Sequence, residues 1–218
     1  MESSQLLASI HAIHDDARKR GLFFQTCTDS TLQGRTVTLH GKEVVSFSSC
    51  SYLGLELHPA VMEGAIQATR QYGTQFSCSR GYLSAPIYTT IEGQLEEIFG
   101  AHVLVTPSTT MAHLAALPVL ATEKDAIVLD HQAHHSIHMG ANQARAGGAV
   151  VEMVRHDRLE EACERVHRLS QKAKTVWFCS DGVFSMYGDL APLQTLQAIL
   201  DVAPNVRLYI DDAHGMSW

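Results

Sequence analysis

Apolar residues return along this chain with two rhythms, and the change between them divides it. Near the start, Leu6, Leu7, Ile10 and Ile13 fall at helical spacing, and Gly21 stands where a C-terminal cap belongs. That pattern predicts an amphipathic helix. Thr36-Val37-Thr38-Leu39 and Val44-Val45-Ser46-Phe47 then flank His40-Gly41-Lys42, the layout of a hairpin. Together these pieces predict an N-terminal arm over residues 1–58. From Pro59 the rhythm changes: Pro59 suits the first turn of a helix that Gly73 ends, and a second helix runs through Ile91, Leu95 and Ile98 to Gly100. Short β-rich runs follow at His102–Val105, Ala126–Leu129, Val150–Val154, Thr175–Cys179 and Val206–Ile210, with helices starting near Thr109, His134, Asp157 and Pro192. Such alternation, with near-continuous apolar strands, predicts an α/β fold whose mainly parallel sheet carries helices on both faces.

In sheets of this kind ligands sit beyond the carboxyl ends of the strands, so the segments after each strand are where chemistry is expected. The first is Thr106-Pro107-Ser108-Thr109-Thr110-Met111, whose hydroxyls and free N–H groups at a helix start suit either an anion or plain N-capping. The second is Asp130-His131-Gln132-Ala133-His134-His135-Ser136-Ile137-His138. There His131, His134, His135 and His138 have i, i+3, i+4, i+7 spacing. On one helical face they would suit a metal; alternatively one imidazole stacks on a flat cofactor, or all merely cap and decorate the helix. Ser180-Asp181-Gly182-Val183-Phe184-Ser185-Met186-Tyr187-Gly188-Asp189 adds a hydroxyl, carboxylates and two glycines that let backbone approach a ligand. Asp211-Asp212-Ala213-His214-Gly215 ends the last strand, where a buried carboxylate calls for a cationic partner.

Composition narrows the classes. With 218 residues and 45% apolar content the chain can bury a core of ordinary size. A net charge of −7, with no basic run beyond Arg18-Lys19-Arg20, disfavours nucleic acid and anionic membranes as partners. No apolar run has the length of a membrane span, and Met1-Glu2-Ser3-Ser4 lacks a signal-peptide layout, so the expected address is cytoplasmic. Five cysteines without CxxC spacing read as free thiols, mostly in the core, Cys78 and Cys179 among them. Arg80 reads as a substrate-carboxylate clamp or a structural salt bridge, and His156-Asp157 as a helix N-cap.

Taken together, Ser51-Tyr52-Leu53-Gly54-Leu55, His58-Pro59, Tyr72-Gly73-Thr74, Ser79-Arg80, His134-His135-Ser136-Ile137, Gly182-Val183-Phe184-Ser185-Met186 with Gly188-Asp189, Ala191-Pro192-Leu193 and Asp211-Asp212-Ala213-His214-Gly215 resemble the α-oxoamine synthases. The likeness runs from about Val45 to the end. It implies a fold-type-I pyridoxal 5'-phosphate (PLP) enzyme, normally a homodimer, that condenses an amino acid with an acyl-CoA thioester, usually with decarboxylation. Position by position it implies that Asp211 pairs with the pyridinium nitrogen and His134 stacks on the ring. His214 and Ser185 would bond the phenolic oxygen, and Ser108, Thr109 and Thr110 would hold the phosphate.

Several positions depart from the family pattern. Ser108-Thr109-Thr110 replaces Ser-Gly-aromatic, Glu92 stands for a histidine, Asp181 for a glutamate, Tyr187 for an aspartate and Cys50 for an asparagine. The Schiff-base lysine of the family lies beyond the Asp-Asp-Ala-His-Gly segment. None of Lys19, Lys42, Lys124, Lys172 and Lys174 has its context. The expectation is therefore a truncation, with residues 59–218 forming the first part of the large domain and the small domain absent. The competing readings are an aminotransferase of the same fold, a metal-dependent hydrolase built on the His131–His138 cluster, and a non-catalytic protein acting through dimerisation.

Overall fold

The structure is a computed structural model and describes residues 3–216. The start at Met1-Glu2 and the stop at Trp218 lie outside the described residues, as does the side chain of Leu6. The chain divides into two compact units, Met1–Phe76 and Ser77–Trp218.

In the first unit the helical pattern forms α1 (Ser3–Lys19). It ends through Gly21 at φ 68°, where the Leu22 N–H reaches the Ala17 carbonyl at 2.9 Å. Strands β1 (Thr36–Leu39) and β2 (Lys42–Val45) pair antiparallel with Leu39 opposite Lys42. His40 and Gly41 form the loop at φ 51° and 75°, both positive as a type I′ turn requires. Asp29 accepts the Thr38 N–H at 2.6 Å and the Thr38 hydroxyl at 2.9 Å, which draw its carboxyl below the usual range. Helix α2 (Pro59–Tyr72) starts on Pro59 with the His58 Nδ1 accepting from the Ala60 N–H, and ends at Gly73. Among the described residues of this unit only Ala17 is buried.

The second unit holds α3 (Pro86–Phe99), α4 (Thr109–Leu120), β3 (Ala126–Asp130), α5 (His135–Ala146), β4 (Val150–Val154), α6 (Leu159–Ser170) and β5 (Val176–Asp181). A short antiparallel pair, β6 (Val183–Phe184) and β7 (Asp189–Leu190), then leads to α7 (Leu193–Leu200) and β8 (Val206–Asp211). The sheet order is β4-β3-β5-β8, every pair parallel. Side chains alternate across a strand, so each strand feeds two layers. Ile127, Leu129 and Cys179 pack with Leu117 of α4 and Ile137 of α5. Val128, Val176 and Phe178 pack with Val166 of α6 and Ile199 of α7. Helices thus cover both faces, as the strand composition predicts. Helices α4 and α5 approach closely at Gly140, where a Cβ would stand 2.6 Å from the His113 carbonyl oxygen.

Three expectations are corrected. Among the described residues His102–Val105 joins no sheet: its Val103 and Val105 amides go to the Glu96 and Glu92 carboxylates of α3 instead of to a strand. The His156-Asp157 pair does not cap α6, whose N-cap is Arg158. His156 instead bonds the buried Asp130 carboxylate, which needs a partner more than the helix needs that cap. The cysteines are free but mostly not core, since Cys179 is buried whereas Cys50 and Cys78 are exposed. Cys78 sits in the exposed stretch that precedes α3, beneath no covering layer. Among the described residues no helix is long and apolar enough to cross a membrane.

Candidate functional site

Three neighbouring strands end in buried aspartates: Asp130 on β3, Asp181 on β5 and Asp211 on β8. Strand alternation sorts them. Asp181 and Asp211 lie opposite each other in register and turn toward the α4/α5 layer, while Asp130 turns toward α6/α7.

On the α4/α5 side, Asp211 Oδ2 lies 2.9 Å from His113 Nε2, and Oδ1 accepts the Ala213 N–H at 3.1 Å. His113 Nδ1 lies 2.7 Å from the Tyr209 hydroxyl. Burial alone would raise Asp211. The His113 and Ala213 hydrogen bonds, helped by the nearby His113 and His134 imidazoles, outweigh it and hold the carboxyl below the usual range. Asp211 is therefore an ionised carboxylate with lone pairs to spare. Tyr209 is pushed up to about 12 by burial, with Cys179 and Asp211 adding to it. Asp181 goes the other way: burial raises it, with the charges of Asp211 and Asp130 adding to burial, against the relief given by the His134 N–H at 2.9 Å and the His134 imidazole.

That N–H bond anchors the start of α5. His134 is the helix N-cap, and its Nδ1 takes the Ser136 N–H at 3.3 Å and sits 2.6 Å from the Ser136 hydroxyl. With two donors on Nδ1, the ring proton belongs on Nε2, and the exposed ring is held in one orientation. Ser108 caps α4 by accepting the Met111 N–H at 3.2 Å, and His113 follows one turn after Thr109 on the same helix. Ser108, Thr109 and Thr110 therefore share a rigid body with the group that binds Asp211. Ser185 is different. It lies on the exposed turn between β6 and β7, and its hydroxyl makes no hydrogen bond among the described residues. His214 is half-buried on the turn after β8. Asp212 fits between Gly182 and Gly215, where any added Cβ would collide with its carboxylate.

Of the readings open for the four histidines, the single helical face does not form. Helix α5 begins at His135, so His131 and His134 precede it, and His131 Nδ1 accepts the His156 N–H at 2.9 Å. Among the described residues no three His, Cys, Asp or Glu side chains are placed to hold a metal ion. Arg80 is a salt-bridge residue, paired with Glu92 at 2.9 Å. On the α6/α7 side, Asp130 and His156 (2.8 Å apart) border a cavity of about 400 Å³ walled by Phe178, Phe184, Leu196 and Ile199. This cavity opens on the other face of the sheet from Asp211.

Sequence reasoning missed His113 and Tyr209. A signal existed: His113 is the one polar side chain in Met111–Leu120, and Tyr209 shares a strand face with Asp211 at i, i+2. Reading it required knowing that α4 lies on that face.

The family model for aminotransferase class I and II matches residues 42–216. The 8-amino-7-oxononanoate synthase of Maricaulis maris is 36% identical over 200 residues, covering 91% of this chain and 50% of the relative. That of Geobacter sulfurreducens is 34% identical, covering 91% and 50%. Among solved structures, the serine palmitoyltransferase of S. paucimobilis with bound PLP–myriocin aldimine superposes with a TM-score of 0.82 at 22% identity, over 97% of this chain and 53% of that one. The Sphingomonas wittichii serine palmitoyltransferase gives 0.81 at 24%, over 97% and 53%. The chain spans about half the length of the curated relatives it matches. It belongs to the aminotransferase class I and II family, in the α-oxoamine synthase group.

Proposed function

We propose that the whole protein is a PLP-dependent acyltransferase that condenses an amino acid with an acyl-CoA thioester to an α-amino ketone. In this reading residues 1–58 are an arm and residues 59–218 the first part of the PLP-binding domain; the protein works in the cytoplasm as a homodimer. The observation that carries it is Asp211: a buried carboxylate kept ionised at the end of β8, with capacity left for one more donor. A protonated ring nitrogen suits that position. PLP, when bound, supplies an electron sink for the substrate. Asp211 would hold the nitrogen proton, and His113 would fix the carboxylate that does so. His134, oriented by Ser136 and by the Asp181 bond to its backbone, would cover the ring and exclude water from one face. Ser108, Thr109 and Thr110 would take the phosphate at the α4 N-terminus. His214 and Ser185 would meet the phenolic oxygen. The relatives named 8-amino-7-oxononanoate synthase support the acyltransferase assignment.

The test is turnover of the full-length protein with an amino acid and an acyl-CoA. Release of free CoA with formation of the ketone is expected. Transfer of the amino group to a keto acid without CoA release would instead identify an aminotransferase.

A further inference from the structure

Among the described residues, residues 102–105 pair with no strand, and side chains of α3 bind their backbone. The Val105 N–H donates to Glu92 Oε1 at 2.9 Å and the Val103 N–H to Glu96 Oε1 at 3.2 Å. The two carboxylates are four residues apart on α3, an advance of about 6 Å. The two amides are two residues apart, an advance of about 6.6 Å for extended chain. The spacings match, so one acidic face of the helix presents acceptors to alternate amides along one edge of this segment. Arg80 completes the arrangement. Its Nη1 and Nη2 grip Glu92 Oε1 and Oε2, each at 2.9 Å, and Nη1 also donates to the Val105 carbonyl at 3.1 Å. Both polar groups of the Val105 backbone are thereby satisfied by a single ion pair.

We propose that Glu92 and Glu96, closed by Arg80, are positioning residues: they hold one edge of the Val103–Val105 backbone and set the register of the Thr106–Thr110 loop against Asp211. This rests on the reading of that loop as the phosphate site. Two residues separate Val105 from Ser108, the α4 cap, and the Thr106 hydroxyl donates to the Ser108 carbonyl at 3.1 Å within that span. A shift at Val105 is therefore delivered to the hydroxyls that would meet the anion. The guanidinium is fully committed, since it also lies 4.3 Å from the Tyr88 ring centroid and bonds Ser84 Oγ through Nε at 3.4 Å. It is not available to clamp a substrate carboxylate. The Arg80 bond and the Val105 N–H together hold the Glu92 carboxyl below the usual range, so the acceptor stays charged through neutral pH.

The experiment is amide exchange by NMR on the full chain, combined with titration of inorganic phosphate read at the Thr109 and Thr110 amides. In Glu92→Ala the Val105 amide should exchange ~100-fold faster while β3 amides are unchanged, and half-saturating phosphate should rise ~10-fold. Glu96→Gln, a milder change that loosens Val103 alone, should show a smaller rise and serves if Glu92→Ala fails to fold. The swap Arg80→Glu with Glu92→Arg restores opposite charges but gives Val105 no acceptor, so its exchange should stay fast. Protection and phosphate affinity restored by the swap would overturn the proposal, leaving a plain salt bridge. Equal phosphate affinity in all variants, with Val105 exchange raised, would overturn the positioning role while the phosphate site stands. No response of Thr109 or Thr110 to phosphate in the unaltered chain would sink the loop reading and this proposal together.

Discussion

The sheet carries the same two side chains twice, once on each face. His113 meets Asp211 at 2.9 Å under α4 and α5; His156 meets Asp130 at 2.8 Å under α6 and α7. Both carboxylates are buried at strand ends, and both would be costly without a partner. What surrounds them differs. Asp211 has the capped starts of two helices close by and an aspartate in register across the strand gap. Asp130 gives both oxygens to local structure, one to the Gln132 N–H at 2.9 Å and one to His156, beside a mainly apolar cavity. An Asp–His pair is thus not a site in itself. Chemistry is expected where the pair has unspent acceptor capacity and polar neighbours with somewhere to point.

Replacing each aspartate tests this most severely. Asp211→Asn in the full-length protein should weaken PLP binding at least ~100-fold, by loss of the charge facing the ring nitrogen. Asp130→Asn should lower the melting temperature and leave PLP affinity within about twofold. Equal losses of affinity, measured by PLP titration, would erase the distinction between the faces.

The histidines come next. His113→Gln and His156→Gln should each destabilise by about 1–3 kcal/mol, because each leaves a buried carboxylate short of a donor. Only His113→Gln should also weaken PLP binding; a matching loss from His156→Gln would show that the two faces are coupled.

The two in-register aspartates make a sharper claim about pH. Asp211 lies below its ordinary value, so its contribution to stability is present above the normal carboxylate range and is lost as pH falls through its lowered value. Asp181 lies above its ordinary value, so its contribution is full in acid and is lost as pH rises through its raised value. Melting curves across pH should therefore show Asp211→Asn flattening the acid limb and Asp181→Asn removing a decline toward neutral pH. The smallest effect is expected from Tyr209→Phe, about 1 kcal/mol, since it removes one hydroxyl from His113 Nδ1.

Much of this was legible beforehand. Pro59 and Gly73 do bound α2, Thr109 does open α4, and four of the five apolar runs are strands. These features are local: a cap, a proline or a β-branched run acts within a few residues. The failures share the opposite character. His102–Val105 has strand composition but pairs with no strand among the described residues, and a strand is a property of two segments. The four histidines have helical spacing, but α5 starts one residue after His134 because Asp181, far along the chain, fixes its N–H.

What the sequence determined by itself is the set of elements, the two-layer alternation of the strands, and the presence of ionisable groups at strand ends. It also contained the motifs that mark the family. Only the tertiary structure decided which aspartate faces which layer, that the side chain of His113, outside the recognised motifs, meets Asp211, and that Arg80 is bound to Glu92. The reason is range. Periodicity encodes the direction of a side chain relative to its own element, whereas a buried charge is settled by whichever donor the packing of distant elements brings within 3 Å.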